Sequence, residues 1–169
     1  METLTTPAYR MISNHGIAEM RRNLSNGQNA LFALRSYQPG DIIANFSAGT
    51  ISAEPTYLTI QLGIRKHITF DPEFLQYINH SCDPNVFFDT TAMNLVALKH
   101  LACEQEMTFF YPSTEWKMKQ SFRCYCGSNE CIGDIKGAFF LSKEAQEKYR
   151  FTDFIQQQLA KRSVRKKVA

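Results

Sequence analysis

Short runs of β-branched and aromatic residues, separated by turn signals at spacings of roughly ten residues, most constrain how this chain can fold. A Gln-Pro-Gly-Asp turn signal at residues 38–41 separates two of these runs, and Gly49 and Gly63 lie beside others. Short strands bounded by turns are typical of a β-rich fold. We predict a strand within an irregular stretch over residues 1–26, followed by strands at residues 30–34, 42–46, 57–62, 67–70, 94–98 and 107–111.

The C-terminal part of the chain has a helical pattern. Residues 142–162 contain no proline or glycine, and Ser142 and Thr152 are suitable N-caps. An apolar face at helical spacing predicts an amphipathic segment that packs on the β-rich body. This face comprises Phe151, Phe154, Ile155 and Leu159.

The composition excludes several classes of protein. Of 169 residues, 44% are hydrophobic and 21% are charged, which excludes disordered and collagen-like chains. No apolar run has the length of a membrane helix. The first twenty residues lack the pattern of a secretory signal. We therefore expect an intracellular protein, cytoplasmic or nuclear, with no membrane association.

The positive charge is concentrated at the C-terminus. Residues 161–167 carry five positive charges and no acid, and removing five charges from the net +3 leaves −2 on the body. We therefore expect no direct nucleic-acid binding outside this basic tail. The tail itself is consistent with a solvated terminus, with contact to an acidic partner or with a nuclear address.

Three cysteines lie within eight residues, in the pattern Cys-x-Cys-x4-Cys, at Cys124, Cys126 and Cys131. In an intracellular protein, such a cluster is more typical of a metal site than of disulfides. The thiols suit a tetrahedral zinc ion, and Gly127 and Gly133 permit the tight loop. Three thiolates leave one position, to be filled by another residue or by water.

Two further cysteines are candidates for the fourth position. Cys82 lies in the polar segment 79–85, where a buried thiol with only a structural role would be unexpected. Cys103 follows Leu101 and Ala102, as a small core residue would. We therefore assign Cys82 as the fourth ligand and expect Cys103 in the core.

Two segments resemble the signatures of SET-domain protein lysine methyltransferases. The first is Asn-His-Ser-Cys-Asp-Pro-Asn at 79–85, and the second is Glu-Met-Thr-Phe-Phe-Tyr at 106–111, which the family usually writes Glu-Leu-Thr-Phe-Asp-Tyr. The cysteine cluster is similar to the family's post-SET zinc loop, which takes a fourth ligand from the first signature. Residues 31–33 and 39–43 resemble the family's opening strands. All these parts follow the family's order within residues 14–141.

The resemblance implies a mainly β SET-domain fold of small curled sheets with a knot-like crossing, plus C-terminal helices. The expected organisation is a lead-in at 1–13, a SET domain at 14–111, a post-SET zinc-binding segment at 112–141, a helical segment at 142–162 and a basic tail at 163–169.

The resemblance also implies methyl transfer from S-adenosylmethionine to the side-chain amine of a lysine in a protein. The expected partner is a protein with an exposed lysine, and a histone-like protein is one candidate. Donor and lysine are expected to enter from opposite faces and to meet at a narrow channel. Tyr111 is the expected catalytic tyrosine, with its hydroxyl near the methyl group and the amine nitrogen. Apolar surroundings would lower the lysine pKa from its usual value of about 10.4 and so favour the reactive neutral amine. The expected donor-binding residues are Gln28, Asn29, Ala30, Asn79, His80 and Tyr111, the expected channel residues are Phe46 and Phe109, and the expected zinc ligands are Cys82, Cys124, Cys126 and Cys131.

Several positions depart from the family pattern. Residues 28–30 replace a Gly-x-Gly motif, Phe46 stands where a tyrosine is common, and Phe110 replaces an acid. The segment at 50–78, which contributes to the peptide groove in the family, is short. These departures leave two alternatives open: a SET-like binding module without transferase activity, and a SET-fold enzyme that acts on a small molecule. Binding of S-adenosylmethionine would argue against the first.

Overall fold

The computed structural model describes residues 8–168, with side chains described as far as residue 164. The described residues are mainly β, with short 3-10 turns and two C-terminal α-helices. The strands are β1 Tyr9–Asn14, β2 Ala18–Asn23, β3 Asn29–Ala33, β4 Ile42–Asn45, β5 Ser47–Ser52, β6 Ile60–Gly63, β7 Lys66–Asp71, β8 Asn79–His80, β9 Val86–Asp89, β10 Asn94–Ala97, β11 Thr108–Phe109, β12 Phe122–Arg123 and β13 Asp134–Ile135. The helices are α1 Lys143–Lys148 and α2 Asp153–Val168.

The strands form small separate sheets. Three sheets have three strands each, in the orders β1-β2-β3, β4-β10-β9 and β5-β7-β6, and are antiparallel throughout. Strands β12 and β13 form an antiparallel pair, whereas β8 and β11 pair in parallel. This architecture confirms the predicted fold class of small sheets with C-terminal helices.

A single apolar core joins the inner faces of the three-stranded sheets. Strand β3 is buried over four of its five residues. It pairs with β2 on one side, and the segment 104–107 bonds to its other side. The aromatic rings of this core pack edge to face or tilted, with Phe88 in contact with Phe70 and Phe109 at centroid distances of 4.6 and 4.9 Å. Burial of such apolar surface is the main term that stabilises the fold.

The parallel pair β8–β11 brings the two signature segments together. Asn79 lies opposite Thr108, and His80 lies opposite Phe109. Beyond the strands, the Asn85 side chain bridges the segments: its Nδ2 donates to the Glu106 carbonyl oxygen at 2.8 Å, and its Oδ1 accepts from the Thr108 amide at 2.8 Å. These side-chain bonds replace ladder bonds that two-residue strands cannot supply.

The C-terminal helices pack on the body through a second apolar cluster. Phe110, Ala138, Phe151 and Ile155 form its buried centre, which confirms the predicted packing of the helical face. Ser142 caps α1 as predicted, since its Oγ accepts from the Ala145 amide at 3.2 Å.

The sequence interpretation of the second helix needs two corrections. The Oγ1 of Thr152 is buried without a hydrogen-bond partner, so Thr152 is no side-chain cap. Helix α2 also continues to Val168, past the predicted end at residue 162, because Lys161 to Val168 contains no helix breaker. The side chains at 165–169 lie outside the described residues, so the proposed contacts of the basic tail stay predictions.

Other local predictions differ from the structure for identifiable reasons. The strand predicted at 57–62 begins only at Ile60, because Tyr57 lies in an exposed turn. The strand predicted at 107–111 is shorter in the structure and consists only of β11. A 3-10 turn begins at Tyr111, and the next residue, Pro112, has no amide hydrogen for a strand ladder. The predicted irregular N-terminal stretch contains the hairpin β1–β2. None of the described helices has the length and apolar character needed to cross a membrane.

Cys103, expected in the core, is exposed. Cys103 and the following residue, Glu104, form a turn, and Glu104 has a φ of 67°. The Cys103 amide donates to Ser36 Oγ at 3.2 Å, which holds the turn at the surface. The apolar neighbours Leu101 and Ala102 therefore misled the prediction, because the chain reverses direction directly after them.

Candidate functional site

One cavity of about 590 Å³ has a wall that is polar and apolar in nearly equal parts. It is the more polar of two large cavities and is called the polar cavity. It is bounded by the first sheet, both signature segments and the cysteine-rich loop. Its lining residues are Tyr9, Asn23, Asn26, Gln28, Ala30, Asn79, His80, Glu106, Tyr111, Phe122, Arg123, Cys124, Tyr125 and Cys126.

A second cavity of about 600 Å³ has a mainly apolar and aromatic wall and is called the aromatic cavity. It is bounded by the turn before β6, by the segment leading into β8 and by the chain after Tyr111. Its lining residues are Thr56, Tyr57, Leu58, Thr59, Ile60, Phe70, Leu75, Gln76, Ile78, Phe109, Tyr111, Thr114, Glu115, Met118, Lys119, Gln120, Ser121 and Phe122.

Tyr111 and Phe122 line both cavities. The two rings are 6.0 Å apart between centroids and stand edge to face. The Tyr111 hydroxyl donates to the Ile78 carbonyl oxygen at 3.3 Å. Burial, aided by the nearby Glu106 charge, raises the pKa of Tyr111 to about 12, so the phenol stays protonated at neutral pH. A neutral hydroxyl therefore stands where the two cavities adjoin.

Asn79 is held on the wall of the polar cavity by its amide hydrogens. Its Nδ2 donates to the Asn29 carbonyl oxygen at 2.9 Å and to Glu106 Oε1 at 3.1 Å. Burial raises the pKa of the Glu106 carboxyl, and the bond from Asn79 opposes that rise. Gln28 and Ala30 reach the same wall, so the segment that replaces the glycine motif does border this cavity.

His80 links the two signatures through its ring. Its Nδ1 accepts from the Tyr111 amide at 3.1 Å, and its Nε2 lies 3.4 Å from Cys82 Sγ. Burial lowers the pKa of His80 to about 4, so the ring is neutral at pH 7. In a neutral ring whose Nδ1 accepts, Nε2 carries the hydrogen and can donate to the Cys82 sulfur.

The two residues expected in the substrate channel have different positions. Phe109 lines the aromatic cavity and contacts the Tyr111 ring at a centroid distance of 4.7 Å. Phe46 is on the wall of neither cavity. It is buried in the core, where its ring contacts Phe70 and Phe88 at 5.5 and 5.6 Å. Phe70 reaches the aromatic cavity instead, so Phe46 supports the wall from behind.

The four predicted metal ligands converge on one point. The Sγ atoms of Cys82, Cys124, Cys126 and Cys131 all lie within 4.8 Å of one another. Cys82 Sγ is 3.9 Å from both Cys124 Sγ and Cys131 Sγ. A tetrahedral zinc with Zn–S bonds of about 2.3 Å requires sulfur–sulfur separations of about 3.8 Å. The spacing and the all-thiol donor set therefore fit zinc.

The environment of the thiols also favours a cation. Burial raises the pKa of both Cys82 and Cys124, because uncompensated thiolates are costly in this setting. At Cys126, burial also acts to raise the pKa, but hydrogen bonds from backbone amides lower it to about 7, which favours a thiolate ligand. The loop reaches the required shape at Gly127 and Gly133, whose φ values are 74° and 77°. Such values favour glycine over other residues. This geometry agrees with the expectation that the two glycines permit the tight loop.

Three residues that the sequence did not single out contribute to the site. Phe122 borders both cavities, and Glu106 holds Asn79. Tyr149 donates its hydroxyl hydrogen to the Cys82 carbonyl oxygen at 2.7 Å. Glu106 could have been found because it opens the second signature, whereas Tyr149 carries no local signal of this contact.

Comparison with known proteins identifies the family. The family model of the SET domain matches residues 28–112. The methyltransferase flvH of Aspergillus flavus is 32% identical over 123 residues, which cover 72% of this chain and 68% of flvH.

Two histone-lysine N-methyltransferases match a shorter part of the chain. ASHH2 of Arabidopsis thaliana is 34% identical and the H3 lysine-36 specific enzyme of Candida albicans is 36% identical, each over 68 residues. Both matches cover 37% of this chain, but only 4% and 8% of the respective enzymes.

Among solved structures, the methyltransferase domain of human histone-lysine N-methyltransferase SETMAR aligns with a TM-score of 0.48 and 15% identity. The alignment covers 78% of this chain and 59% of that domain's chain. The match to the family model and the length of the flvH match establish the assignment. The relatives compared above are all named as methyltransferases. This chain belongs to the SET-domain family.

Proposed function

We propose that this chain transfers a methyl group from S-adenosylmethionine to the side-chain amine of a lysine in a protein. The observation that carries the proposal is that the Tyr111 ring borders both cavities. A donor in the polar cavity and an amine in the aromatic cavity would approach each other from opposite sides of this residue. Transfer by direct displacement requires such an approach.

The polar cavity suits the donor. S-adenosylmethionine supplies a methyl group on a positively charged sulfur. Asn79 and the His80 backbone are the residues that we expect to hold its amino-acid end. Gln28 and Ala30 lie on the adjacent wall, and Asn29 between them is expected to contribute through its backbone, whose carbonyl oxygen accepts from Asn79. The half-buried Glu106 carboxyl adds a negative charge to this wall when ionised, which favours a cationic ligand.

The aromatic cavity suits an amine that must lose a proton before it reacts. The nitrogen lone pair forms the new bond to the methyl carbon, and the electrons of the broken carbon–sulfur bond stay on sulfur. The chain therefore needs to position the amine rather than to supply an acid and a base during transfer. The apolar rings of Phe70 and Phe109 disfavour the charged ammonium, so its proton leaves to solvent beforehand. The Tyr111 hydroxyl can orient the nitrogen.

Zinc has a structural role in this proposal. Cys82 belongs to the first signature, and Cys124 and Cys126 line the polar cavity. A zinc ion on the four thiolates would fix the loop that forms one wall of the donor site. No catalytic step depends on the metal.

A second candidate function is methyl transfer to a small free amine. It is favoured by the short segment 50–78, which supplies few residues for a peptide groove. The relative matched over most of this chain, flvH, is named only as a methyltransferase, without a protein substrate. The two histone-lysine enzymes, matched over a shorter part, favour a protein substrate, with a histone-like lysine as one possibility.

One assay separates these functions. The full chain is incubated with S-adenosylmethionine and either mixed proteins, lysine peptides or free amines, and products are read by mass spectrometry. Calorimetry measures donor binding in parallel. Methylated lysine supports the proposal, and methylation of free amines alone supports the second candidate. Absence of any heat with S-adenosylmethionine would contradict both and favour a binding module.

A further inference from the structure

We propose that the aromatic cavity selects an amine that has no second positive charge beside it, so that a lysine among neutral residues, or a simple free amine, binds better than a lysine in an arginine- and lysine-rich tail. This inference rests on the proposed function, because it concerns the acceptor of the same site. The inference states which amines bind in the aromatic cavity, so peptide binding tests it as well as methyl transfer.

The first observation is the distribution of charge on the wall of the aromatic cavity. Among its lining residues, Glu115 is the acid and Lys119 is the base. The remaining side chains are aliphatic, aromatic or neutral polar groups, with Tyr57 and Gln76 among them. A cation-rich peptide would thus find no row of carboxylates to pair with its flanking charges.

The second observation is the position of Glu115. The residue is only 8% exposed, and its Oε1 is buried with no hydrogen-bond partner. Burial raises the pKa of this carboxyl well above its usual value, which favours its neutral form. At the entry step, before the amine loses its proton for transfer, an ammonium group would favour ionisation of Glu115. This single buried acid can compensate one positive charge, but not the charges of flanking residues outside the cavity.

The third observation is the exposed positive charge of Lys119 at the edge of the aromatic cavity. The segment 112–123 carries Lys117, Lys119 and Arg123, with Glu115 as its only acid. Arg123 is paired with Asp134 at 3.2 Å, and the Lys117 ammonium lies over the Phe139 ring at 4.4 Å. Lys119 is exposed and borders the cavity itself. A flanking arginine on the substrate would therefore meet a like charge, which is unfavourable and gives specificity by repulsion.

A binding experiment with matched peptides tests this selection. Two labelled peptides of equal length carry one lysine each, flanked either by alanine and serine or by arginine on both sides. Their dissociation constants are measured by fluorescence anisotropy with the full chain and S-adenosylhomocysteine at low salt. We expect the neutral peptide to bind roughly tenfold more tightly, with a smaller ratio at high salt.

Charge reversal at the rim provides the variant. Lys119→Glu should reduce the preference for the neutral peptide to roughly threefold or less. Lys143→Glu is the matched control, since Lys143 is exposed on α1 and lines neither cavity, and it should leave the ratio unchanged. A parallel competition arm displaces the labelled neutral peptide with butylamine or 1,4-diaminobutane, and we expect butylamine to compete more strongly because it carries no second charge. Competition with the unlabelled neutral peptide is measured beside it, and stronger competition by butylamine than by that peptide identifies a free amine as the acceptor.

Equal or tighter binding of the arginine-flanked peptide would overturn the inference, as would an unchanged ratio in Lys119→Glu. Failure of peptides and amines alike to bind would also contradict it. Selective binding without any methyl transfer would contradict the proposed function and leave the selection intact. Efficient methylation of both peptides at equal rates would support the proposed function and contradict the selection.

Discussion

The ring of Phe110 lies face to face on the ring of Tyr149, with centroids 3.7 Å apart and planes 9° from parallel. Phe110 directly precedes Tyr111, and the Tyr149 hydroxyl bonds to the Cys82 carbonyl oxygen. One residue of the C-terminal segment thus contacts both signature segments from behind the site. The replacement of the family's acid by Phe110 has a structural reason, since a carboxylate here would face an aromatic cluster.

We predict that Phe110→Asp releases the C-terminal segment from the body. A charged side chain would be buried among Tyr149 and Phe151, at a cost of roughly 3 kcal/mol or more in the free energy of unfolding. Urea unfolding measures the loss, and limited proteolysis should show new cleavage within residues 141–152. Phe110→Leu is the control and should lose roughly half as much or less. Wild-type stability of Phe110→Asp would show that the stacking contributes nothing.

We predict a zinc ion bound by Cys82, Cys124, Cys126 and Cys131. Cys126→Ser should lose the metal, and chelation of the wild type should expose residues 112–140 to hydrogen exchange before the three-stranded sheets unfold. Cys103→Ser provides the matched control, because Cys103 is exposed and separate from the cluster. Well-folded protein that contains no zinc by metal analysis would refute this site.

The number of methyl groups added should depend on Phe109. Its ring borders the aromatic cavity beside Tyr111 and has no polar group that could hold a water or the amine. A partly methylated nitrogen therefore has room to rotate, and we expect di- or trimethylated products. Phe109→Tyr should shift the products towards monomethyl with a modest change in rate. Intact-mass spectra under excess donor measure the distribution, and a wild type that stops at one methyl group would contradict this role.

Candidate site residues that lie close together in the sequence could be identified from the sequence alone. Asn79, His80 and Cys82 lie in one segment and Tyr111 ends another, so their residue types and order are informative in the sequence alone. The fold brings them together through pairing of β8 with β11 and through the bond from the Tyr111 amide to His80. The cysteine cluster was predictable for the same reason, since ligand spacing is a local property.

Residues whose position depends on distant packing were not predictable. Phe46 looked like a channel residue, but Phe70 of another strand takes the wall position in front of it. The contact of Tyr149 with Cys82 spans 67 positions and has no local pattern. Two-residue strands such as β8 are defined only by their partners, so propensity could not reveal them.

The proposed function depends above all on Tyr111 as the point at which methyl donor and amine meet. The most direct test is the rate of methyl transfer by Tyr111→Phe, with donor affinity measured on the same protein by calorimetry. Asn79→Ala serves as the comparison and should weaken donor binding itself, because Asn79 lies on the polar wall. For Tyr111→Phe, we predict a roughly 100-fold or greater loss of transfer rate with donor affinity within about twofold of wild type. Full activity of Tyr111→Phe would contradict this role.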